Sequence, residues 1–392
     1  MDLEQRKQLL NSIRGQTVLM PDMRPTYENY TQLNPNYHAM IPVVDRLLES
    51  LVSNEKKLAK LKNADFALFG STWPPKAGFN ELRIVTFLAI WLFLWDDELD
   101  EPTGQHSNSF ESTQKYRKET VRFIRSTMRL PEKSLQWQDQ PTGIFQFFSL
   151  YGLQNIGQQI KSGVAWSLGV KYPPTASHPI IESFRVIGEA LAEAYTVEQR
   201  ENFFEDMRFY ISSTEMEQKW HLEGEARIPT LEDYLHSRMG TSAVRPCLAV
   251  IEFANGIRGR YAATTNEPSL TALSDEATKI VIIANDMLSL KKEIRVGVID
   301  SLVPLLCLRF GDVQNALREA QSDLAAAVDR FELEARTLLD EPNETRLSYE
   351  ELRMFIEGAR DCWIGNFSWS MRTGRYMLGD IDKANGSFSV TL

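Results

Sequence analysis

Cysteine and histidine are scarce in this chain, and what they leave out narrows the chemistry at once. Cys247, Cys307 and Cys362 are the three thiols among 392 residues. They are scattered without metal-site spacing and read as reduced, buried side chains, so a reducing, cytoplasmic compartment is expected. The five histidines, His38, His106, His178, His221 and His236, include no pair at i, i+3 or i, i+4, which argues against a histidine-held metal. There is no G-x-S-x-G, no G-x-x-x-x-G-K-S/T and no G-x-G-x-x-G, so hydrolase, P-loop and dinucleotide-fold readings lose their usual support. The apolar run from Ile84 to Trp95 is too short to span a bilayer, and Met1 to Arg14 is charged and lacks a signal core. A soluble protein without stable membrane insertion is expected. Basic charge is also wanting: the net charge of -10 argues against nucleic acid and anionic lipid as partners.

What is present is a globular composition, 43% hydrophobic, long enough for a large core. Residues 1–40 are polar and proline-bearing and read as an arm. Helical spacing runs from Met40 to Leu61. Pro74-Pro75 breaks the pattern before a long apolar helix, and polar loops follow at Gly104–Thr113 and Pro131–Pro141. Further helices are predicted at about 114–130, 142–170, Ile180–Tyr210, Asp275–Arg295, Leu302–Phe310, Val313–Leu339 and Tyr349–Trp363. Thr230, with Asp233 three residues on, caps another helix, which is broken near Gly240-Thr241-Ser242. The last dozen residues read as a frayed tail. No strand alternation and no repeat is visible. The expectation is an all-α single bundle, with an arm over 1–40, a domain over 41–380 and a tail over 381–392.

Two oxygen-rich stretches carry the chemistry. The apolar helix ends in Asp96-Asp97-Glu98-Leu99-Asp100, four carboxylates that need cations or solvent to stay ionised. Asp96 and Asp100, four apart, share a face that suits a divalent ion and its waters. Further on, Asn285, Ser289 and Glu293 stand in one row along a helix. An amide oxygen, a hydroxyl and a carboxylate are hard ligands that suit magnesium, which keeps waters and completes its shell with phosphate oxygens.

These stretches resemble the aspartate-rich motif and the N-D-x-x-S-x-x-K-E motif of class I terpene synthases, most closely the fungal sesquiterpene cyclases. Arg238, after Tyr234-Leu235, is similar to that family's pyrophosphate-sensing arginine, and Arg375-Tyr376 matches its C-terminal Arg-Tyr pair. The resemblance covers about residues 34–377, including Asn34-Pro35 and the Trp73-Pro74 break. It implies a helical fold with a central pocket and the two motifs facing across its mouth. It also implies three Mg2+ ions, with Asp96 holding two and Asn285, Ser289 and Glu293 the third. Asp97 and Asp100 would join them or pair with an arginine such as Arg375 on closure. Arg238, Lys292, Arg375 and Tyr376 would donate to the diphosphate. Phe66, Phe69, Phe93, Trp363 and Trp369 would line the pocket, and Phe145, Phe147 and Phe148 are further candidates.

The implied reaction is cyclisation of farnesyl diphosphate with release of diphosphate, by a monomer or homodimer. Geranylgeranyl diphosphate as substrate, or a silent helical interaction protein of the same fold, are the alternatives. At the helix break the family often has a glycine whose carbonyl faces the substrate, whereas Thr241-Ser242-Ala243 stand here. The second aspartate-rich motif of chain-elongating enzymes is absent, and there is no D-x-D-D motif for protonation-initiated cyclisation.

Overall fold

A computed structural model describes residues 3–27, 32–100, 109–131, 175–223, 228–257, 268–340, 347–378 and 386–392. In chain order its elements are α1 (Leu3–Ile13), β1 (Thr17–Met20), α2 (Arg24–Tyr27), α3 (Tyr37–Leu51), α4 (Glu55–Asn63), α5 (Phe66–Thr72), α6 (Phe79–Asp100) and α7 (Phe110–Thr127). After these come α8 (Pro179–Ser183), α9 (Arg185–Ala194), α10 (Val197–Glu223), α11 (Leu231–Thr241), α12 (Val244–Ala249) and α13 (Ile251–Asn255). The C-terminal part holds α14 (Pro268–Val296), α15 (Leu302–Phe310), α16 (Val313–Asp340), α17 (Tyr349–Ser370) and β2 (Phe388–Thr391). The molecule is mostly helical, as the periodicity predicts. The helix expected at 142–170 and Phe145, Phe147 and Phe148 lie outside the described residues.

The long helix α6 runs through the middle of the packing. Every residue from Ile84 to Trp95 is buried except Phe87 and Phe93, which are partly covered. Thr86, the polar exception in the run, donates to the Leu82 carbonyl at 2.7 Å and so costs the core little. Trp91 and Trp95 each bury an indole and find acceptors for their N–H groups, at Ile180 O (2.8 Å) and Thr120 Oγ1 (3.0 Å). Helix α5 crosses α6 where Gly70 meets Thr86, and crosses α17 where Gly365 meets the Thr72 backbone. A Cβ at Gly365 would lie 2.5 Å from Thr72 O. Around this centre α14 packs on α16 and α17, and α10 packs on α7, α11 and α12.

Local signals place several starts. Thr230 accepts from Asp233 N, and Ser348 forms a complete capping box with Glu351. Three expectations are corrected. The stretch Ile180–Tyr210 is not one helix: the chain breaks at Phe184 and again at Tyr195-Thr196, where Thr196 and Gln199 exchange side-chain-to-backbone bonds of 3.0 and 3.2 Å and start α10. Helix α17 continues past Trp363 to Ser370. The tail is not frayed over Phe388–Thr391, which pairs antiparallel with Thr17–Met20, Val18 opposite Val390. Its buried Phe388 and Val390 alternate with exposed neighbours, a strand pattern whose partner is some 370 residues away and so has no local signature. The Gln314 side chain closes the free edge, donating to Leu19 O and accepting from Leu19 N at 2.9 Å each. The arm is likewise built in: Arg6 forks onto Asp300 (2.8 and 2.5 Å), and Arg14 donates to Ile294 O at 3.0 Å.

Candidate active site

Helix α6 delivers Asp96 to a half-buried position among charged groups from other helices. Tyr210, at the midpoint of α10, donates to Asp96 Oδ1 at 3.3 Å. Burial pushes the Asp96 carboxyl well above its ordinary 3.8; Glu217 and Asp97 push the same way, while Arg238 and Arg375 pull against them. The neighbours diverge. Both are buried, but Asp97 lies close enough to act on the Lys292 charge, whereas Glu98 pairs with Lys57 at 3.5 Å. The Asp100 side chain lies outside the described residues.

On the opposing side, α14 presents Asn285, Ser289 and Glu293 along one face, as their spacing predicts. Ser289 Oγ donates to Glu293 Oε1 at 2.6 Å. Glu293 Oε2 is buried and has no hydrogen-bond partner. Asn285 bridges two remote segments: its amide Nδ2 donates to Tyr376 Oη at 2.8 Å, and its Oδ1 accepts from Arg238 Nη2 at 3.4 Å. Burial disfavours the Arg238 charge, yet Tyr234, Asp286, Glu217 and Glu293 around it hold the guanidinium protonated. Lys292 is pushed down to about 8, first by burial and then by Arg375.

Four of the five aromatic candidates meet. Phe69 lies 4.7 Å from Trp369 between ring centroids, Phe66 5.1 Å from Phe93, and Phe93 5.7 Å from Trp369. Tyr376 stands edge-on to Trp369 at 5.7 Å, and the Arg375 guanidinium lies 4.8 Å over Phe93, so this cluster adjoins the polar groups directly. Trp363 is not brought in. Six residues from Trp369 on one helix, it points about 120° away, and its ring partners are Tyr27 at 5.4 Å and Phe331 at 5.8 Å.

The helix break falls where the sequence places it. Helix α11 ends at Thr241, Ala243 takes the left-handed conformation (φ 58°), and α12 begins at Val244. The backbone donors are partly used, Ser242 N bonding Arg238 O at 3.0 Å, while the hydroxyls of Ser237, Thr241 and Ser242 are buried without partners. Sequence reasoning missed Tyr210 and Glu217. They are seven apart and therefore on one face of α10, but nothing in their spacing sets that face apart from an ordinary polar one.

The donor set fits a divalent cation that shares its shell with an anion. Among the described residues no group of three or more His, Cys, Asp or Glu side chains could hold a metal alone. What α6 and α14 offer is an uncomfortable carboxylate on one side and an orphaned carboxylate oxygen on the other. A cation would relieve both.

The fold is that of terpene synthases: the crystal structure of a-eudesmol synthase superposes with a TM-score of 0.67 over 88% of this chain and 97% of its own, at 16% identity. The profile of terpene synthase family 2, C-terminal metal binding, matches residues 153–330, which include Arg238 and the Asn285–Glu293 motif. Sesquiterpene cyclase hepA of Aspergillus oryzae is 32% identical over 92% of this chain and 89% of its own length. Silphinene synthase peniA of Penicillium patulum is 23% identical over 93% and 87%. The chain belongs to the terpene synthase family and is an enzyme of that kind. The metal-binding description of the matched segment carries a divalent cation with it, and the described residues contain no helix long and apolar enough to cross a membrane.

Proposed function

We propose that the protein is a magnesium-dependent sesquiterpene synthase that ionises farnesyl diphosphate and cyclises the allylic cation, releasing diphosphate and a cyclic hydrocarbon or alcohol. The observation that carries this reading is the hydrogen-bonded line Arg238–Asn285–Tyr376, which draws three segments remote in sequence onto one polar wall beside an aromatic cluster. The name of the cyclase from Aspergillus oryzae favours the fifteen-carbon substrate over geranylgeranyl diphosphate.

Asp96, flanked by Asp97 and Asp100, would hold cations on one side, and Asn285, Ser289 and Glu293 on the other. Three magnesium ions, when bound, would offset the charge that grows on the leaving diphosphate. Arg238, Lys292, Arg375 and Tyr376 donate to that diphosphate, and their bonds strengthen as the carbon-oxygen bond breaks, so they favour the ionised state over the bound substrate. The Ser289 hydroxyl orients Glu293 through their 2.6 Å bond, leaving Oε2 available. Phe66, Phe69, Phe93 and Trp369 offer π faces that stabilise a passing carbocation without supplying a basic atom. Trp363 packs apart from this wall, against Tyr27 and Phe331. The catalytic domain spans residues 41–380.

Purified protein with farnesyl diphosphate and Mg2+ is expected to give a cyclic C15 product by gas chromatography and mass spectrometry. Product from geranylgeranyl diphosphate alone would replace the substrate assignment, and no product from either would sink the reading. Glu293→Gln removes the charge of the orphaned carboxylate and is expected to lower kcat at least about 100-fold with unchanged circular dichroism, the size of losing one preorganised electrostatic contact. Normal turnover would refute the assignment of Glu293.

A further inference from the structure

Asp286 sits inside the Asn285–Glu293 motif yet takes no part in its row. One residue on from Asn285, it is turned about 100° around the helix, towards α11, and is 1% exposed. Its Oδ2 accepts from the Tyr234 hydroxyl and from Leu302 N at 3.1 Å, the first backbone donor of α15. Its Oδ1 lies 3.6 Å from Arg238 Nη2. Ser301, the residue before α15, makes no side-chain cap, so Asp286 supplies that acceptor from another helix.

A buried carboxylate is costly where an amide would do. Asparagine could accept both of the Oδ2 bonds, so they do not account for the charge. The charge is explained by Arg238. Tyr234 and Arg238 are four apart on α11 and share a face, so both reach the one carboxylate. Among the described residues the guanidinium has no other ion pair within 4 Å: its Nε is buried without a partner, and Asn285 holds Nη2 only at 3.4 Å.

We propose that Asp286 is a positioning residue for Arg238: its carboxylate, oriented by Tyr234, holds the guanidinium at the diphosphate side of Asn285 and ties the metal-motif helix to the arginine-bearing helix. This rests on the reading of Arg238 as a diphosphate ligand. Electrostatics alone would act in the opposite direction, because removing an anion beside Arg238 would strengthen its pull on another anion. The sign of the effect therefore separates positioning from mere charge balance.

The test is a double-mutant cycle on the full chain, read as the affinity for inorganic diphosphate with Mg2+ by calorimetry and as kcat and KM with the prenyl diphosphate. Asp286→Asn and Tyr234→Phe are each made in the wild-type and the Arg238→Gln backgrounds. Asp286→Asn is expected to weaken diphosphate binding about tenfold in the wild-type background, the size of one charge-assisted contact, and to cost little more once Arg238 is gone. Unchanged or tighter binding overturns the proposal, as does an equal loss in both backgrounds, which would make Asp286 a helix cap only. If Asp286→Asn does not fold, Tyr234→Phe decides by the same criterion with a smaller expected loss of a few-fold. Wild-type protein that fails to bind diphosphate with Mg2+ would instead overturn the reading of Arg238, and the proposal with it.

Discussion

At the scale of single residues, two tryptophans on one helix separate wall from scaffold. Trp369 touches Phe69, Phe93 and Tyr376, and its Nε1 donates to Ala64 O at 2.6 Å. Trp363 touches Tyr27 and Phe331 and leaves its own Nε1 buried without a partner. Trp369→Leu is therefore expected to change the product mixture, because it removes a π face from the cluster, whereas Trp363→Leu is expected to cost about 2–4 kcal/mol of stability and leave the mixture as it was. Product analysis beside thermal melting checks both, and an unchanged profile for Trp369→Leu at normal rate would remove that side chain from the pocket. The family resemblance makes both residues candidates, because both stand before Arg375 at positions similar to those of pocket tryptophans in related enzymes. The angle between them follows from helix geometry, but which of the two faces points inward depends on contacts with α5 and α6 that no local pattern encodes. The same limit hides Asp286, whose motif position is legible while its turn towards Tyr234 and Arg238 is not.

At the scale of elements, the aromatic cluster exists because α5 and α17 approach closely enough for their backbones to touch. Gly365 allows this: a Cβ there would lie 2.5 Å from Thr72 O and 2.7 Å from Thr72 C, backbone atoms that cannot swing aside. Gly365→Ala gains helix propensity but must push α17 from α5, and the overlap wins. A net loss of about 1–3 kcal/mol is expected in denaturant unfolding, with reduced turnover because Trp369 moves with its helix. An alanine variant as stable and active as the parent would show that the crossing is looser than this geometry requires. Glycine at a helix crossing looks from sequence like a weak point in α17, and only the partner helix reveals its purpose. By contrast the long helices were readable wherever an apolar stripe or a cap marked them, as at Val313–Asp340 and at Thr230. The sheet formed by the two chain ends was not, since four-residue strands acquire meaning only from each other.

At the scale of the whole molecule, the net charge is -10 and some of the acidic groups are buried rather than displayed. Asp206, on α10, is 6% exposed, and its pKa is pushed up from 3.8 to about 7, chiefly by burial. Arg245 pulls the other way, but its guanidinium is shared with Asp275 at 2.8 Å, and Glu205 and Asp275 add to the rise. Because the folded pKa lies above the unfolded one, folding takes up a proton between them. The associated stability is complete below about pH 4 and is lost as pH rises through about 7. Asp206→Asn has no proton to lose, so it should gain on the wild type by about 2 kcal/mol between pH 5 and pH 8, less than the full shift implies because buried sites relax. Denaturant unfolding of both proteins across that range provides the measurement. Parallel stability curves would mean that Arg245 keeps Asp206 ionised throughout, and that the acidic excess is neutralised by pairing on α12 rather than by protonation on α10.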